Sequence, residues 1–473
     1  MKTLYKLKLL AGTALLMALV VSCKVSKDIQ EPDLKVPEAY RETKSGTADT
    51  TSIATIRWEA FFTDPQLNSL INEALANNFD LQLAVKNIEI AGQTLKQAKW
   101  GNIPTLGLQA TAASNRPSDN SLNGFQLNNA LGAKHIEDYT LAASLSWEAD
   151  IWGKIRSQKA AALAGYLSTE EARKAVQTQL ISNLAKGYYN LQLLDEQLDI
   201  AEKNLKLNDS TLIIINLQYE SGQVSSLAVQ QAEAQKLTAA GLIPYFLQQI
   251  AIQENALSIL SGKLPGPIAR TKSSAEFSDM LSAGLPVALL KNRPEIKQSE
   301  LALTKANAAV GYTKAAMYPS LTISAQGGLN AIKASDWFNM PASLFGAVAG
   351  GLTQPLFQQR RLRTQYEIAK LNREQAVIQF RQSVITAVGE VSDALVKREQ
   401  INQQQKLLSQ KVTTLQKATK NSNLLFQNGL ANYLEVIIAQ SNALQSELEF
   451  AAIKKAGLDA TVDLYRSVGG GWK

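Results

Sequence analysis

Residues 139–147 read YTLAASLSW. Tyr139, Leu141, Ala143, Leu145 and Trp147 fall on one face of a two-residue period, and Thr140, Ser144 and Ser146 fall on the other. This is a strand pattern with one apolar face and one hydroxyl-bearing face. Upstream, Leu106, Leu108, Ala110 and Ala112 oppose Thr105, Gln109 and Thr111. Downstream, Leu321, Ile323 and Ala325 oppose Ser320, Thr322, Ser324 and Gln326, and a glycine-rich run from Leu344 to Thr353 is the least regular of the four. Strands are therefore expected near 105–113, 139–147, 320–327 and 344–353. Each is long enough for a tilted membrane strand of about 9–11 residues. Tyr139 and Trp147 stand where aromatic girdles lie in membrane barrels. Two half-buried hairpins of a soluble domain would show the same alternation, so both settings stay open. In a membrane, four strands leave unpaired edges, which hydrocarbon does not tolerate. Several copies would have to share one barrel under rotational symmetry.

Each strand pair leads into a very long helical pattern, near 154–221 and 361–428, without a proline. At ~1.5 Å per residue, each spans on the order of 100 Å. Leu184, Leu191, Leu198, Leu205 and Leu212 recur every seven residues, as do Ala387, Ala394, Ile401, Leu408 and Leu415. A sustained seven-residue seam predicts coiled-coil packing. Gly222 and Gly429 stand at C-cap positions, and a helix returns after each, which predicts antiparallel hairpins. Pro244 lies within the first return helix, where it reads either as a break or kink or as the start of a separate helix.

The same order of elements occurs twice. Residues 79–106 align without a gap to 294–321, with Pro104 matching Pro319. Further on, Tyr219-Glu220-Ser221-Gly222 matches Phe426-Gln427-Asn428-Gly429, and Leu227 matches Leu434. The expected organisation is a first repeat over 58–284 and a second over 285–473.

At the start of the chain, Lys2, Lys6 and Lys8 precede an apolar core from Leu9 to Val21, which ends in Val20-Val21-Ser22-Cys23. Residues 1–22 read as a lipoprotein signal peptide. A small residue before a lone cysteine resembles a bacterial lipobox, where cleavage leaves Cys23 to carry acyl chains. A stray cysteine after an ordinary signal peptide is the plainer reading. The chain's single cysteine standing at the required position favours lipidation. Lys24 is not the aspartate that resembles an inner-membrane retention signal. Residues 23–57, with Pro32 and Pro37, read as an extended tether.

One cysteine and one histidine exclude a disulfide scaffold and a multi-histidine metal site. Losing three lysines with the leader lowers the formal charge from +7 to +4, with no basic run to suggest nucleic acid. Without an organising histidine a hydrolytic triad is not expected. Acidic pairs such as Glu170-Glu171 and Glu447-Glu449 lie on helical stretches. His135 falls in a loop between the first two strands, and Met280, Met317 and Met340 are too scattered for a metal path. No catalytic residue, metal site or cofactor is expected beyond a covalent lipid on Cys23.

Short motifs carry a family resemblance across nearly the whole mature chain. They are Trp58-Glu59-Ala60-Phe61-Phe62-Thr63-Asp64-Pro65-Gln66-Leu67, Asn77-Asn78-Phe79-Asp80-Leu81, Asp150-Ile151-Trp152-Gly153-Lys154 and Asn255-Ala256-Leu257-Ser258-Ile259-Leu260-Ser261-Gly262. Leu285-Pro286 with Leu289-Leu290-Lys291-Asn292-Arg293-Pro294-Glu295-Ile296 follows, and the ending is Leu464-Tyr465 with Gly469-Gly470-Gly471-Trp472. In number and order these resemble the TolC-type outer-membrane factors, in the NodT/OprM-like lipoprotein branch. The resemblance implies a mainly α fold with a small β part. It implies two repeats of helix, strand, strand, long helix, helix in a homotrimer, with a twelve-strand transmembrane β-barrel continued by a coiled α-helical barrel through the periplasm. It also implies outer-membrane lipid around the barrel, a periplasmic membrane-fusion adaptor, and an inner-membrane pump, commonly of the resistance-nodulation-division type. The function implied is a passive exit duct. A copper or silver exporter remains open, because the pump would select the metal. A lipid-anchored coiled-coil scaffold or adhesin without a pore is the alternative from another class.

The resemblance also carries expectations for single residues. The turns Gly222, Gln223, Val224 and Ser225, and Gly429, Leu430, Ala431 and Asn432, would meet the adaptor at the periplasmic tip; read plainly, they are helix-hairpin turns. Glu435 matches an acidic position at the tunnel constriction, where three copies would form a carboxylate ring favouring cations; the plain alternative is an exposed helix glutamate. Ala228, Ala431 and Ile438 depart from the charged closing network of TolC-like proteins. Closure is then expected to rest on Leu430, Tyr433 and Leu434.

Overall fold

The computed structural model describes Tyr40, residues 52–272, 283–284 and 286–473. The signal peptide, Cys23, most of the tether and Leu285 lie outside the described residues. The helices are α1 (Pro65–Asn77), α2 (Phe79–Trp100), α3 (Leu122–Leu131), α4 (Lys154–Glu220), α5 (Ser226–Leu260), α6 (Pro294–Ala315), α7 (Arg361–Gln427) and α8 (Tyr433–Ser467). The strands are β1 (Thr105–Asn115), β2 (Ile136–Ala149), β3 (Ser320–Ala331) and β4 (Leu344–Thr353). Single helical turns lie at Trp58–Phe61 and Leu289–Asn292. Helices α2 and α6 both have 22 residues, α4 and α7 both have 67, and α5 and α8 both have 35. All four expected strands form, and β2 and β3 run several residues further than the alternation alone indicated.

The chain divides into two compact units, each drawing on both sequence halves. The first, formed in the described residues by 89–167 and 301–378, holds one antiparallel sheet in the order β1-β2-β3-β4. Asp150 opens α4 by accepting from the backbone N–H groups of Ile155 and Arg156, both at 2.9 Å. The Trp152 indole donates to the Pro319 carbonyl at 2.7 Å and stacks on Tyr318 at 4.9 Å. Trp147 likewise donates to the Asn102 carbonyl at 3.0 Å.

The second unit is helical and explains most of the family motifs as packing devices. Phe61 stacks on Tyr465 at 4.0 Å, and Phe62 meets the same ring edge-on. The Asp64 carboxylate caps α1 through Gln66 N–H at 2.8 Å and accepts from the Tyr188 hydroxyl at 2.8 Å. Asn78 caps α2 through Leu81 N–H and donates to the Leu260 carbonyl at 2.9 Å. A Cβ at Gly262 would lie 2.4 Å from the Asn77 carbonyl oxygen, so that close approach requires glycine. Trp472 donates to the Asn292 carbonyl at 3.0 Å, and buried Arg293 binds Glu390 at 2.6 Å. Arg270 bridges Asp195 and Glu254, and the Asp195 hydrogen bond is the main cause holding its guanidinium pKa above the usual value. Burial, which works against the charged form, pushes the Tyr189 and Tyr465 hydroxyls up. Ser52, Ile53 and Ala54, read as tether, are buried, and the Ser52 hydroxyl donates to the Ala283 carbonyl at 3.2 Å.

Pro244 does not break its helix. The helix α5 runs through it without interruption. Proline removes one N–H and leaves the carbonyl four residues earlier without its helical donor. Pro244 lies on the exposed side of α5, where water can take that role.

Candidate functional site

Two regions could carry function: the faces of the sheet and the hairpin tips. The register fixes the first. Leu106, Leu145, Ala325 and Val348 form one row across the four strands. Leu108, Ala143, Gly327 and Gly346 form the next row on that face, followed by Ala110, Leu141, Leu329 and Leu344. Trp147–Ile323–Gly350 and Ala112–Tyr139–Ala331 lie towards its two ends. The alternate rows run Thr105–Ser146–Ser324–Ala349 and Gly107–Ser144–Gln326–Ala347, then Gln109–Ala142–Gly328–Phe345 and Thr111–Thr140–Asn330. One face is therefore apolar from the Trp147 row to the Tyr139 row, with Ser114 and Glu137 following at its loop end, and the other is lined mainly by hydroxyl and amide groups. Asp138 and Glu148 also lie on the polar face. Asn330 donates to Asp138 at 3.1 Å, and Lys154 donates to Glu148 at 2.9 Å.

Among the described residues the apolar face is left uncovered: Leu108 is 78% exposed and Val348 is 80% exposed. A continuous bare apolar face marks an interaction surface. Both outer strands, β1 and β4, have an open edge. Among the described residues, no helix is long and apolar enough to cross a membrane.

The tips form the second region. After α4, Gln223 N–H donates to the Gln218 carbonyl at 2.8 Å and Gly222 N–H to the Tyr219 carbonyl at 2.9 Å. After α7, Leu430 N–H donates to Leu425 at 2.8 Å and Gly429 N–H to Phe426 at 3.0 Å. Both are the same left-handed helix stop, with φ of 75° at Gly222 and 71° at Gly429. The space around each is open, so glycine is needed there for its backbone angle.

Beneath the turns, Ile215, Ala228, Ala232, Phe426 and Val436 form a buried cluster that ties both hairpins together. Leu212, Val224, Ala431, Tyr433 and Ile437 pack against it. Ala228 and Ala431 thus serve a core here, which explains why neither is charged. Tyr433 faces that core. Leu430, Leu434 and Ile438 are exposed at 75%, 44% and 51%, and Glu435 is exposed among them. Leu430, Leu434 and Glu435 are thus each open to solvent, whereas Tyr433 packs against the buried cluster. Gln223 and Ser225 are exposed, while Val224 is half-buried. Asn432 caps α8 through Leu434 N–H at 3.0 Å.

Sequence reasoning missed a polar layer above that cluster. Asn204, Asn208, Thr211, Thr419 and Gln440 are buried between the helices. The Gln440 amide donates to the Thr211 hydroxyl at 2.8 Å, while its carbonyl oxygen meets no hydrogen-bond partner among the described residues. The layer's signal was the alternating spacing of three and four from Ala201 through Asn204, Asn208 and Thr211 to Ile215.

A one-sided four-stranded sheet and a pair of long helical hairpins define a class, and the comparisons name it. The family model for outer membrane efflux proteins matches residues 70–263 and 285–470, and the chain belongs to that family. The chain is an outer-membrane efflux channel of the TolC-like type. It is 31% identical over 460 residues to the toluene efflux pump outer membrane protein TtgF of Pseudomonas putida, covering 95% of this chain and 94% of that one. It is 28% identical over 461 residues to the cation efflux system protein CusC of Escherichia coli, covering 96% and 97%. The crystal structure of the open state of the Neisseria gonorrhoeae MtrE outer membrane channel superposes with a TM-score of 0.83 at 26% identity, covering 95% of this chain and 99% of that one.

Proposed function

We propose that three copies of this chain form the exit duct of a tripartite efflux system. In this reading, each copy gives four strands to a twelve-strand barrel, with the apolar rows facing lipid and the hydroxyl rows facing the lumen. The observation that carries it is the in-register, one-sided sheet with two open edges, since closure by identical copies is the way to satisfy those edges in hydrocarbon. The even strand number lets β1 of one copy follow β4 of the next with the antiparallel alternation kept. The family model's two matched stretches support two repeats, at 58–284 and 285–473. Cys23 would carry the anchoring lipid, and the long hairpins would cross the periplasm to an adaptor and an inner-membrane pump of the resistance-nodulation-division type named by the family resemblance. The turns at 222–225 and 429–432 are the surfaces offered to the adaptor. Leu430, Leu434 and Glu435 line the constriction, with Tyr433 supporting them from behind. The duct itself is passive. TtgF and CusC are named for an organic solvent system and a cation system, and the proposed division of labour leaves that choice to the pump.

The test is ion conductance by the purified trimer in a planar bilayer. Cation-selective conductance that loses selectivity in Glu435→Ala supports the duct and the carboxylate ring. Conductance with unchanged selectivity in that variant removes the ring from the reading. A monomer that passes no ions refutes the duct.

A further inference from the structure

The end of β4 carries a second surface. On the apolar face, Val348 and Leu352 are followed by Leu356 and Phe357, and Phe357 is 97% exposed. Arg360, Arg361 and Arg363 come directly after, all exposed. These three arginines, Leu356 and Phe357, together with Met317 and Pro355, line one cavity of about 400 Å³. Met317 lies just before β3 and the other lining residues follow β4, so the cavity is framed by the segment entering β3 and the segment leaving β4.

The charge there is uncompensated. None of the three arginines forms a salt bridge among the described residues; Arg361 instead donates to the Gln358 side-chain oxygen at 2.5 Å. Glu367 lies within their field, but Lys370 engages it at 2.8 Å. That hydrogen bond is the main cause holding the Glu367 carboxyl below its usual range, and Arg363 and Arg360 add to it. The turn is also held against preference. Gln359 and Arg360 have φ of 49° and 64°, the only non-glycine residues at positive φ among the described residues. At the opposite end of the sheet Arg116 has an acidic partner, Asp119 at 3.9 Å.

We propose that this cavity binds the headgroup of an anionic phospholipid from the periplasmic leaflet, with an acyl chain lying along Leu356, Leu352 and Val348. The inference rests on the sheet lying in a bilayer with its helical end towards the periplasm. Guanidinium groups bind phosphate oxygens in paired geometry, and a lipid of net negative charge offsets part of the charge on the three arginines, whereas a zwitterionic lipid brings its own cation to the same site. An acidic peptide would match the charge but not the apolar strip, which continues the lipid-facing rows.

The test uses the full-length oligomer in vesicles of phosphatidylcholine with and without a minor fraction of spin-labelled phosphatidylglycerol. The wild type is expected to immobilise labelled phosphatidylglycerol on the order of tenfold over labelled phosphatidylcholine, an excess that salt reduces. The triple variant Arg360→Gln, Arg361→Gln, Arg363→Gln loses that excess yet still inserts and conducts ions. Leu356→Ser with Phe357→Ser weakens retention of both lipids. Equal phosphatidylglycerol excess in the arginine variant overturns the site, and so does displacement of the label by inorganic phosphate, which would mark a small-anion site. Failure of the wild type to insert into any vesicle overturns the bilayer reading as well, which separates the two failures.

Discussion

Replacing Gln440 with leucine should make the hairpin tips more stable. Gln440 is fully buried. The change removes its hydrogen bond to Thr211, a loss of about 1 kcal/mol, and removes a buried carbonyl oxygen that has no partner, a gain of about 1–3 kcal/mol. It strands little in return. The Thr211 hydroxyl still donates to the Leu207 carbonyl at 3.0 Å. Asn423 loses only a 3.5 Å contact and is half-buried, within reach of water. Leucine has similar bulk and adds apolar contact above the Ile215–Phe426 cluster. The net expectation is about 0–2 kcal/mol of stabilisation before the added apolar contact, or up to roughly tenfold slower amide exchange where opening limits exchange. The assay is hydrogen exchange over residues 207–215 and 436–444 in the assembled protein, with exposed Asn442→Leu as the control. Faster exchange, or a lower unfolding temperature, would refute the bookkeeping and show that the polar layer stabilises the joint. If the tips open by parting the hairpins, the same variant should also lower the open fraction in single-channel records.

Other outcomes follow from separate regions. Phe426→Ala should cost about 3–5 kcal/mol at the tip, seen as proteolysis at the two turns with helical circular dichroism unchanged. Gly328→Val should abolish the heat-modifiable oligomer on a gel. A Cβ there would lie 2.0 Å from the Leu141 carbonyl oxygen and 2.7 Å from the Ala142 Cα, backbone atoms that no rotamer change can move. Gly346→Val, with open space around its Cβ, should assemble normally. Cys23→Ser should abolish incorporation of labelled palmitate and leave conductance by reconstituted protein intact.

Much of the fold was legible because its signals are periodic. The alternation at Tyr139–Trp147 gave the face of β2, and the glycines at 222 and 429 gave both helix stops. The long seam was only partly legible. Leu184 and Leu191 are buried, but Leu198, Leu205 and Leu212 are half-buried, because near the tip the packed seam passes through Asn204, Asn208 and Thr211. A count of apolar residues cannot see a seam made of amides and hydroxyls. The helix break read at Pro244 does not occur for a related reason: its cost depends on whether the freed carbonyl reaches solvent, which sequence does not report. At the site, Glu435 and Leu434 could be placed on an open face only once Val436 and Ile437 were seen to point inward. Tyr433 gave no sequence signal separating a pore-facing ring from a core-facing one.

The sheet's two borders are different strands, so any two copies can join in only one sense. In the proposed trimer every junction would consume one β1 border and one β4 border, and a copy damaged at either would still offer a sound border to its neighbour. Such a copy would enter rings and prevent their closure. Co-expression with a β4-defective copy should therefore remove far more than half of the transport, a dominance written into strand order.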